Sequence, residues 1–192
     1  MLESIKHEGF TIEIHADEDA ESPRDNDYNL GKVFCFHNRY NLGDKNDYDS
    51  SQFLSWDELK KAIEKDFSPV VILPVYMMDH SGLSISTDPT IFQACDPQRW
   101  DWGQIGFAFV SREDALREHN AKKLSPKIKE ESERILQCEI DEWGKYISGE
   151  VYGYVVKDKD GEEALSYWGF IGYDYVVEEA KKSASYLSEN MA

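Results

Sequence analysis

The sequence predicts an α+β domain with a mainly antiparallel sheet and three to four helices packed on it. Several short segments alternate apolar and polar residues, the period of a half-buried strand, while others repeat apolar residues at helical spacing. Strands and helices do not alternate strictly along the chain, which disfavours a parallel α/β sheet. The chain has 192 residues, of which 41% are apolar. This length suits a single domain over residues 1–192, with an acidic, turn-rich N-terminal part at about residues 1–68.

The first half of the chain predicts strands around one capped helix. Four segments rich in β-branched and aromatic residues are predicted as strands, at residues 10–16, 31–40, 69–78 and 83–87. The helix is predicted over residues 55–67, where Ser55 suits the N-cap. Glu58 follows three residues later and completes a capping box. Residues 88–103 contain two prolines and two tryptophans and are predicted as a loop.

The second half predicts one strand, three helices and a hairpin. These elements are a strand at residues 104–111, helices at about 112–119, 126–147 and 174–188, and a hairpin at 151–173. Ser111 supplies the N-cap of the first of these helices. Ser125 precedes Pro126 at the start of the second, and proline suits the first helical position. Aromatic-rich segments on both sides of the polar turn KDKDGE predict the hairpin.

The chain is strongly acidic. It carries 38 Asp and Glu residues against 21 Lys and Arg residues, a formal net charge of −17. Such a charge repels phosphate groups, so direct binding to nucleic acid or to an anionic membrane is disfavoured. The same field attracts basic partners, and many basic surfaces in a cell are those that hold nucleic acid. Solubility alone is the alternative explanation of the charge.

The N-terminal residues and the cysteines predict a soluble protein in the cytoplasm of its host cell. The first ten residues lack the basic and apolar regions of a secretory signal. The three cysteines, Cys35, Cys95 and Cys138, are far apart and odd in number, which suits a reducing compartment. The apolar run at residues 70–78 is shorter than the roughly 20 residues that span a bilayer.

No motif in the sequence predicts catalysis or a resident cofactor. Windows that start at Asp17 and Asp44 lack the glycine and the glutamate that an EF-hand calcium loop requires. The five histidines do not pair at the spacings of a zinc motif. The nucleophile elbow and the phosphate-binding loop are also missing from the sequence. The sequence therefore predicts a protein without enzymatic activity, cofactor or metal.

Many of the acidic residues cluster in one run, HADEDAESPRDNDY at residues 15–28. It holds six carboxylates around Arg24, and three more acids follow in a second turn-rich segment. The run fits three interpretations, in this order: a loop kept in water, an edge that imitates a polyanion, and a metal site. Under the second interpretation, the partner-binding residues are Asp17, Glu18, Asp19, Glu21, Asp25, Asp27, Asp44, Asp47 and Asp49.

A different set of polar and aromatic residues predicts a pocket. The turn-rich segments DHSG and RWDWGQ could converge at one edge of the sheet. The pocket would then be lined by His80, Ser81, Trp100, Asp101, Trp102 and Gln104. A pocket of this kind holds a small ligand or a substrate, so the alternative hypothesis is a ligand-binding protein or an enzyme.

Motifs within residues 69–175 resemble those of a known family. They are a tyrosine-bearing strand, the turn H-S-G, the strand L-S-I-S-T, the motif W-D-W-G-Q-I-G and a later G-E-V-Y-G-Y. They fall at Tyr76 and at residues 80–82, 83–87, 100–106 and 149–154. In these motifs the chain resembles a family of small acidic proteins found in bacteriophages and other mobile elements.

The resemblance implies an origin in a phage or mobile element, and it brings no catalytic residue. Small acidic phage proteins are often inhibitors of host defence that cover a nucleic-acid-binding surface. By this analogy, the chain is predicted to be an anti-restriction or anti-CRISPR inhibitor that acts as a DNA mimic. Its partner would be a basic nucleic-acid-binding host protein or complex, whose Lys and Arg side chains pair with the carboxylates.

Overall fold

A computed structural model describes residues 1–190, apart from the side chain of Ser50. Over these residues the chain forms five α-helices and two four-stranded antiparallel sheets. The predicted α+β class is therefore confirmed, with the antiparallel strands divided between two sheets. None of the helices in residues 1–190 combines the length and the hydrophobicity needed to cross a bilayer.

Eight strands and five α-helices follow one another along the described residues. In order, they are β1 (Glu3–His7), β2 (Phe10–Ala16), β3 (Lys32–Cys35), α1 (Trp56–Phe67), β4 (Pro69–Asp79), β5 (Leu83–Ser86), α2 (Pro89–Cys95), β6 (Trp102–Ser111), α3 (Arg112–Glu118), α4 (Pro126–Ile147), β7 (Val151–Lys157), β8 (Glu163–Ile171) and α5 (Tyr173–Asn190). A short 3-10 helix at Ser50–Gln52 precedes α1. Two compact units result: Arg24–Gly144, called the central unit, and Met1–Pro23 with the chain from Lys145 onward, called the terminal unit.

In the terminal unit, one helix covers one face of a sheet with strand order β1-β2-β7-β8. The alternation of β2 places Ile12 and Ile14 on the buried face, as the sequence predicts. On α5, Ala180 and Ala184 are fully buried against this face. Their small side chains are four residues apart and let the helix approach the sheet closely.

The strand β1 was not predicted from the sequence. It pairs with β2 through a turn in which Glu8 and Gly9 both have positive φ, at +48° and +86°. Its residues are mostly exposed, because β1 forms an edge of the sheet. An edge strand with few buried side chains lacks the apolar alternation on which the prediction depends.

The central unit contains the sheet with strand order β3-β6-β4-β5. The core includes Phe34 and Phe109 of this sheet and Leu59 and Ile63 of α1. The predicted N-cap of α1 is confirmed, since the Ser55 hydroxyl accepts a hydrogen bond from the backbone N–H of Glu58 at 3.3 Å. The long helix α4 begins at the predicted Pro126.

The prediction of a loop over residues 88–103 is wrong in part, because these residues contain the helix α2. Asp88 is its N-cap and accepts a hydrogen bond from the backbone N–H of Thr90 at 2.9 Å. Pro89 occupies the first turn, where a missing N–H costs nothing. The pair Asp88–Pro89 is thus a helix-start signal, and the second proline, Pro97, lies in the turn that follows the helix.

Candidate ligand-binding site

Two turns meet at one edge of the sheet in the central unit. β4 and β6 are antiparallel neighbours, so the end of β4 lies beside the start of β6, with Met78 opposite Trp102. The backbone N–H of Asp79 donates to the carbonyl oxygen of Asp101 at 2.8 Å. The turn after β4 is thereby held against the segment that precedes β6. His80 Nδ1 lies 2.7 Å from Asp101 Oδ2, within hydrogen-bond distance.

One carboxylate fixes the segment that precedes β6. Asp96 accepts hydrogen bonds from the backbone N–H groups of Gln98 at 3.2 Å, Trp100 at 2.6 Å and Asp101 at 3.0 Å. These hydrogen bonds hold the pKa of Asp96 below its ordinary value, and the bond from Asp101 has the largest effect. Arg99 adopts a left-handed conformation in the same loop, with φ at +59°. The loop presents the side chain of Trp100 to solvent, 81% exposed.

Trp102 is the buried aromatic residue of the site. Its ring centroid lies 6.0 Å from those of both Tyr76 and Phe92. Its indole N–H donates to the carbonyl oxygen of Asp96 at 2.8 Å. The guanidinium of Arg99 lies 4.5 Å from its ring centroid, in a cation–π contact. Because Phe92 belongs to α2, the helix that was not predicted supports the site.

The end of β4 and the start of β6 border an open cavity of about 430 Å³. That volume is in the range of cavities that bind small molecules. Four of the six residues predicted for the pocket line it: Trp100, Asp101, Trp102 and Gln104. Of the other two, His80 contacts Asp101, and Ser81 lies in the adjoining turn with φ at +57°. The structure therefore brings together two segments that are separate in the sequence.

A further wall of the cavity comes from a segment that was not predicted from the sequence to belong to the site. His37 and Arg39 follow β3 and line the cavity. Arg39 forms an ion pair with Asp79 at the end of β4, and the hydroxyl of Tyr40 donates to the same carboxylate at 3.2 Å. Only the pairing of β3 with β6 places this segment at the site. The sequence feature that could have indicated this segment is the cluster of polar and aromatic residues directly after a predicted strand.

The polar groups of the site include two acid–base pairs and an amide. His80 is paired with Asp101, and Arg39 with Asp79. Gln104 Nε2 donates to a backbone carbonyl at 3.1 Å. Because each carboxylate has a basic partner, the site combines hydrogen-bond donors and acceptors that are already paired with one another.

The residues predicted to bind a basic partner are divided between the two units. Asp17, Glu18, Asp19 and Glu21 belong to the terminal unit, and the other five belong to the central unit. The Asp17 carboxylate accepts hydrogen bonds from the backbone N–H groups of Asp19 at 3.2 Å and Gly169 at 3.0 Å. Glu18, Asp19 and Glu21 are exposed. Asp17 therefore stabilises local structure, while its three neighbours face solvent.

In the central unit, Asp44 belongs to an internal ion-pair network. The Arg24 side chain is only 5% exposed, and its guanidinium donates to both oxygens of Asp44, at 2.6 and 3.0 Å. Asp44 also accepts a hydrogen bond from the backbone N–H of Val33 at 2.8 Å. Glu139 lies 3.5 Å from the same guanidinium. The remaining predicted residues of this unit are exposed, namely Asp25, Asp27, Asp47 and Asp49.

The described residues contain neither a cluster of potential metal ligands nor a disulfide. Among residues 1–190, no group of three or more His, Cys, Asp or Glu side chains is placed to hold a metal ion. Cys35, Cys95 and Cys138 are free cysteines. Burial raises the pKa of the Cys35 thiol to about 12, so this thiol stays protonated at neutral pH.

Comparison with protein-family models, with curated proteins and with solved structures found no match for this chain. The resemblance to acidic proteins of phages and mobile elements therefore stays a prediction from the sequence motifs. The geometry of the central unit is the basis for a functional proposal.

Proposed function

We propose that this protein binds a small uncharged ligand rich in hydroxyl groups, such as a sugar, in the cavity beside Trp100. The observation that carries the proposal is the exposed ring of Trp100 at a cavity of about 430 Å³, with the backbone N–H of Trp100 bound to the Asp96 carboxylate. An indole ring in water forgoes the stabilisation that burial of its apolar surface would provide. Exposure of such a ring beside a polar cavity supports a role in stacking on a ligand.

The charges around the cavity favour an uncharged ligand. Arg39 is paired with Asp79, and His80 with Asp101. A charged ligand would compete for one partner of a pair, which costs up to about 1 kcal/mol for pairs as exposed as these. A neutral ligand can form hydrogen bonds with the remaining donors and acceptors while both pairs stay intact.

The hydrogen-bonding groups match hydroxyls, which both donate and accept. His37 Nδ1 accepts a hydrogen bond from the backbone N–H of Arg39 at 3.3 Å, so a neutral His37 carries its proton on Nε2 as a donor. Gln104 donates through its amide N–H, which leaves its side-chain oxygen as an acceptor. His80 engages Oδ2 of Asp101, and Oδ1 is a further acceptor. The flat C–H face of a sugar ring would stack on Trp100.

Calorimetric titration with a panel of mono- and disaccharides tests the proposal. We expect at least one member of the panel to bind the wild-type protein. Trp100→Ala should weaken this binding by about fivefold or more, since stacking on an aromatic side chain contributes about 1–3 kcal/mol.

The matched control for this variant is Trp168→Ala. Trp168 is also exposed, at 51%, but it belongs to the terminal unit. We expect Trp168→Ala to leave the dissociation constant unchanged. An equal loss in both variants, or a panel without any binder, would contradict the proposal.

A second candidate function is the acidic-surface inhibitor predicted from the sequence, and the exposure of the carboxylates favours it. Seven of the nine predicted partner-binding residues are exposed: Glu18, Asp19, Glu21, Asp25, Asp27, Asp47 and Asp49. Exposed carboxylates can pair with Lys and Arg on a basic nucleic-acid-binding host protein, in an association that is fast and sensitive to salt. In this function the protein is a phage-type inhibitor of a restriction or CRISPR system.

Charge reversal in each unit separately tests the second candidate. One variant carries Glu18→Lys, Asp19→Lys and Glu21→Lys, and the other carries Asp25→Lys and Asp27→Lys. We expect at least one variant to lose inhibition of a restriction or CRISPR nuclease that the wild-type protein inhibits, with an unchanged melting temperature. Asp17 and Asp44 are left intact because their carboxylates bind groups within their own units. If the wild-type protein inhibits no such nuclease, or if both variants inhibit as fully as the wild type, the acidic-surface function is wrong.

A further inference from the structure

We propose that the central unit contains a further ligand site, which binds an alkylammonium group such as the side chain of a lysine. The site is a cavity of about 480 Å³ lined by residues of β3, of the segment 44–48 and of the end of α1. Its lining combines aromatic rings with carboxylates, and both kinds of group attract an organic cation.

Three aromatic rings form the apolar wall of this cavity: Phe34, Tyr48 and Phe67. The ring centroid of Phe34 lies 5.8 Å from that of Tyr48 and 5.6 Å from that of Phe67. The centroids of Tyr48 and Phe67 are 6.5 Å apart. Each ring packs edge-on against the other two, which fixes the wall. An alkyl stem can bury apolar surface against these rings, and an ammonium group near a ring face is attracted to it.

Two carboxylates place negative charge at this cavity. Asp47 lines the cavity and is exposed. Asp66 also lines it, and its Oδ2 accepts a hydrogen bond from the Tyr48 hydroxyl at 2.8 Å. Burial raises the pKa of Tyr48 well above its ordinary value, so the hydroxyl remains a donor at neutral pH. This hydrogen bond holds the Asp66 carboxylate beside the aromatic wall.

Most of the other charges in the lining are compensated. Asp44 is paired with Arg24, and Lys32 binds Asp114 with an N–O distance of 2.8 Å. Lys45 is exposed and also lines the cavity, so its ammonium group opposes the binding of a second cation. Two carboxylates face this one amine, and the cavity keeps an excess of negative charge.

The use of this site by a partner protein rests on the second candidate function, in which the protein covers a basic surface. A lysine of that surface would place its four-carbon stem along the rings and its ammonium group at the two carboxylates. Lysines are abundant on surfaces that bind nucleic acid, because they neutralise phosphates. The site is defined by its own lining, so a free alkylamine should bind it as well.

The test is an NMR titration of the full chain with N-acetyl-lysine methylamide, followed at the aromatic signals of Phe34, Tyr48 and Phe67. We expect saturable shifts of these signals at about 1–10 mM, the range of a weak site for a single side chain. N-acetyl-norleucine methylamide has a similar stem without the charge and should bind at least about tenfold more weakly. Inorganic phosphate is titrated separately, because Lys32 and Lys45 would attract an anion.

Three variants of exposed residues complete the test. Asp47→Asn with Asp66→Asn should weaken lysine binding about tenfold or more, since each removes a charge beside the ammonium group. Glu130→Gln with Glu133→Gln is the matched control, with two exposed carboxylates of the same unit, and should leave binding unchanged. Lys45→Met should tighten binding.

Four results would overturn the lysine site. They are equal binding of the norleucine compound, an unchanged affinity in the Asp47 and Asp66 variant, binding of phosphate in place of the amine, and the absence of any shift. Because the probe is a small molecule used without a partner, failure of this site leaves the acidic-surface candidate standing. Conversely, failure of nuclease inhibition leaves the lysine site standing.

Discussion

In the sequence Arg24 lies among six carboxylates and looks like part of an exposed charged run. The structure instead places its guanidinium inside the central unit, where it binds Asp44 and approaches Glu139. Glu139 in turn accepts hydrogen bonds from the backbone N–H groups of Leu30 at 2.6 Å and Gly31 at 2.9 Å. Burial raises the pKa of Glu139, and these hydrogen bonds and Arg24 oppose the rise. The network thus joins three segments of the central unit.

Removing this buried cation should destabilise the protein strongly. We expect Arg24→Met to lower the free energy of unfolding by about 3–5 kcal/mol, because it leaves two carboxylates without their partner. Urea denaturation measures the change. Arg112→Met is the control, since Arg112 is exposed at the start of α3. A loss below about 1 kcal/mol, as for an exposed ion pair, would show that Arg24 is not part of a buried network.

Asp114 should make the stability depend on pH. Burial alone would raise its pKa, but hydrogen bonds from Lys32 (2.8 Å), Ser111 (2.6 Å) and Arg117 outweigh burial and keep the pKa below its ordinary value. A lowered carboxyl pKa stabilises the fold above the ordinary value of about 3.9. That stabilisation is lost as the pH falls through the lower pKa of the folded state.

We therefore expect Asp114→Asn to be less stable than the wild type at neutral pH, by about 1–3 kcal/mol. The difference should shrink as the pH is lowered below about 4, because the wild-type carboxylate becomes protonated. Urea denaturation at several pH values measures it. Glu113→Gln, at an exposed position of the same helix, should show no such trend. A difference that stays constant with pH would contradict the role assigned to the Asp114 charge.

At the scale of elements, segments with a strong local signal were predictable from the sequence. Ser55 caps α1 and Ser111 caps α3, as their positions predict. The central strand β6 is buried along most of its length and reads as an apolar run. Two elements were missed for different reasons. The edge strand β1 buries too few side chains to show an alternation of apolar and polar residues. The start signal of α2 was obscured by the prolines and tryptophans around it.

The pairing of β3 with β6 depends on a close approach at Gly106. Cys35 lies opposite Gly106 in the sheet, and a Cβ atom added at Gly106 would overlap the carbonyl oxygen of Phe34. We expect Gly106→Ala to destabilise the protein by about 2 kcal/mol or more, because backbone atoms of β3 must move. Thermal unfolding measures the effect.

Gly103→Ala in the same strand is the matched control. A Cβ atom added at Gly103 meets no heavy atom within 4 Å, so the extra methyl group fits without strain. We expect this variant to unfold within about 0.5 kcal/mol of the wild type, as surface substitutions usually do. Similar melting temperatures for the two variants would show that β3 does not pack closely on Gly106.

At the scale of the whole molecule, the candidate site was predictable in part. The turns that carry His80 and Asp101 were expected to converge, because two strands with polar ends flank them. The contribution of His37 and Arg39 could not be predicted, since it depends on which strands pair across long sequence separations. The same limit applies to the cavity at Phe34 and Phe67, whose lining comes from three separate segments.

The single domain predicted from the sequence stays a prediction and has a direct test. A single cooperative domain loses all its structure in one transition. NMR signals of Val75 in the central unit and Val156 in the terminal unit should then disappear at the same urea concentration. Two distinct midpoints would contradict the prediction and show that the two units unfold separately.

The indole N–H signals of the five tryptophans give the most direct test of whether the cavity beside Trp100 binds a small hydroxyl-rich ligand. These signals are recorded by ¹⁵N NMR while sugars are added to the labelled protein. We expect a bound sugar to move the signals of Trp100 and Trp102, which line the cavity, and to leave that of Trp168 in place. A spectrum unchanged by every sugar, or a shift confined to Trp168, would contradict this expectation.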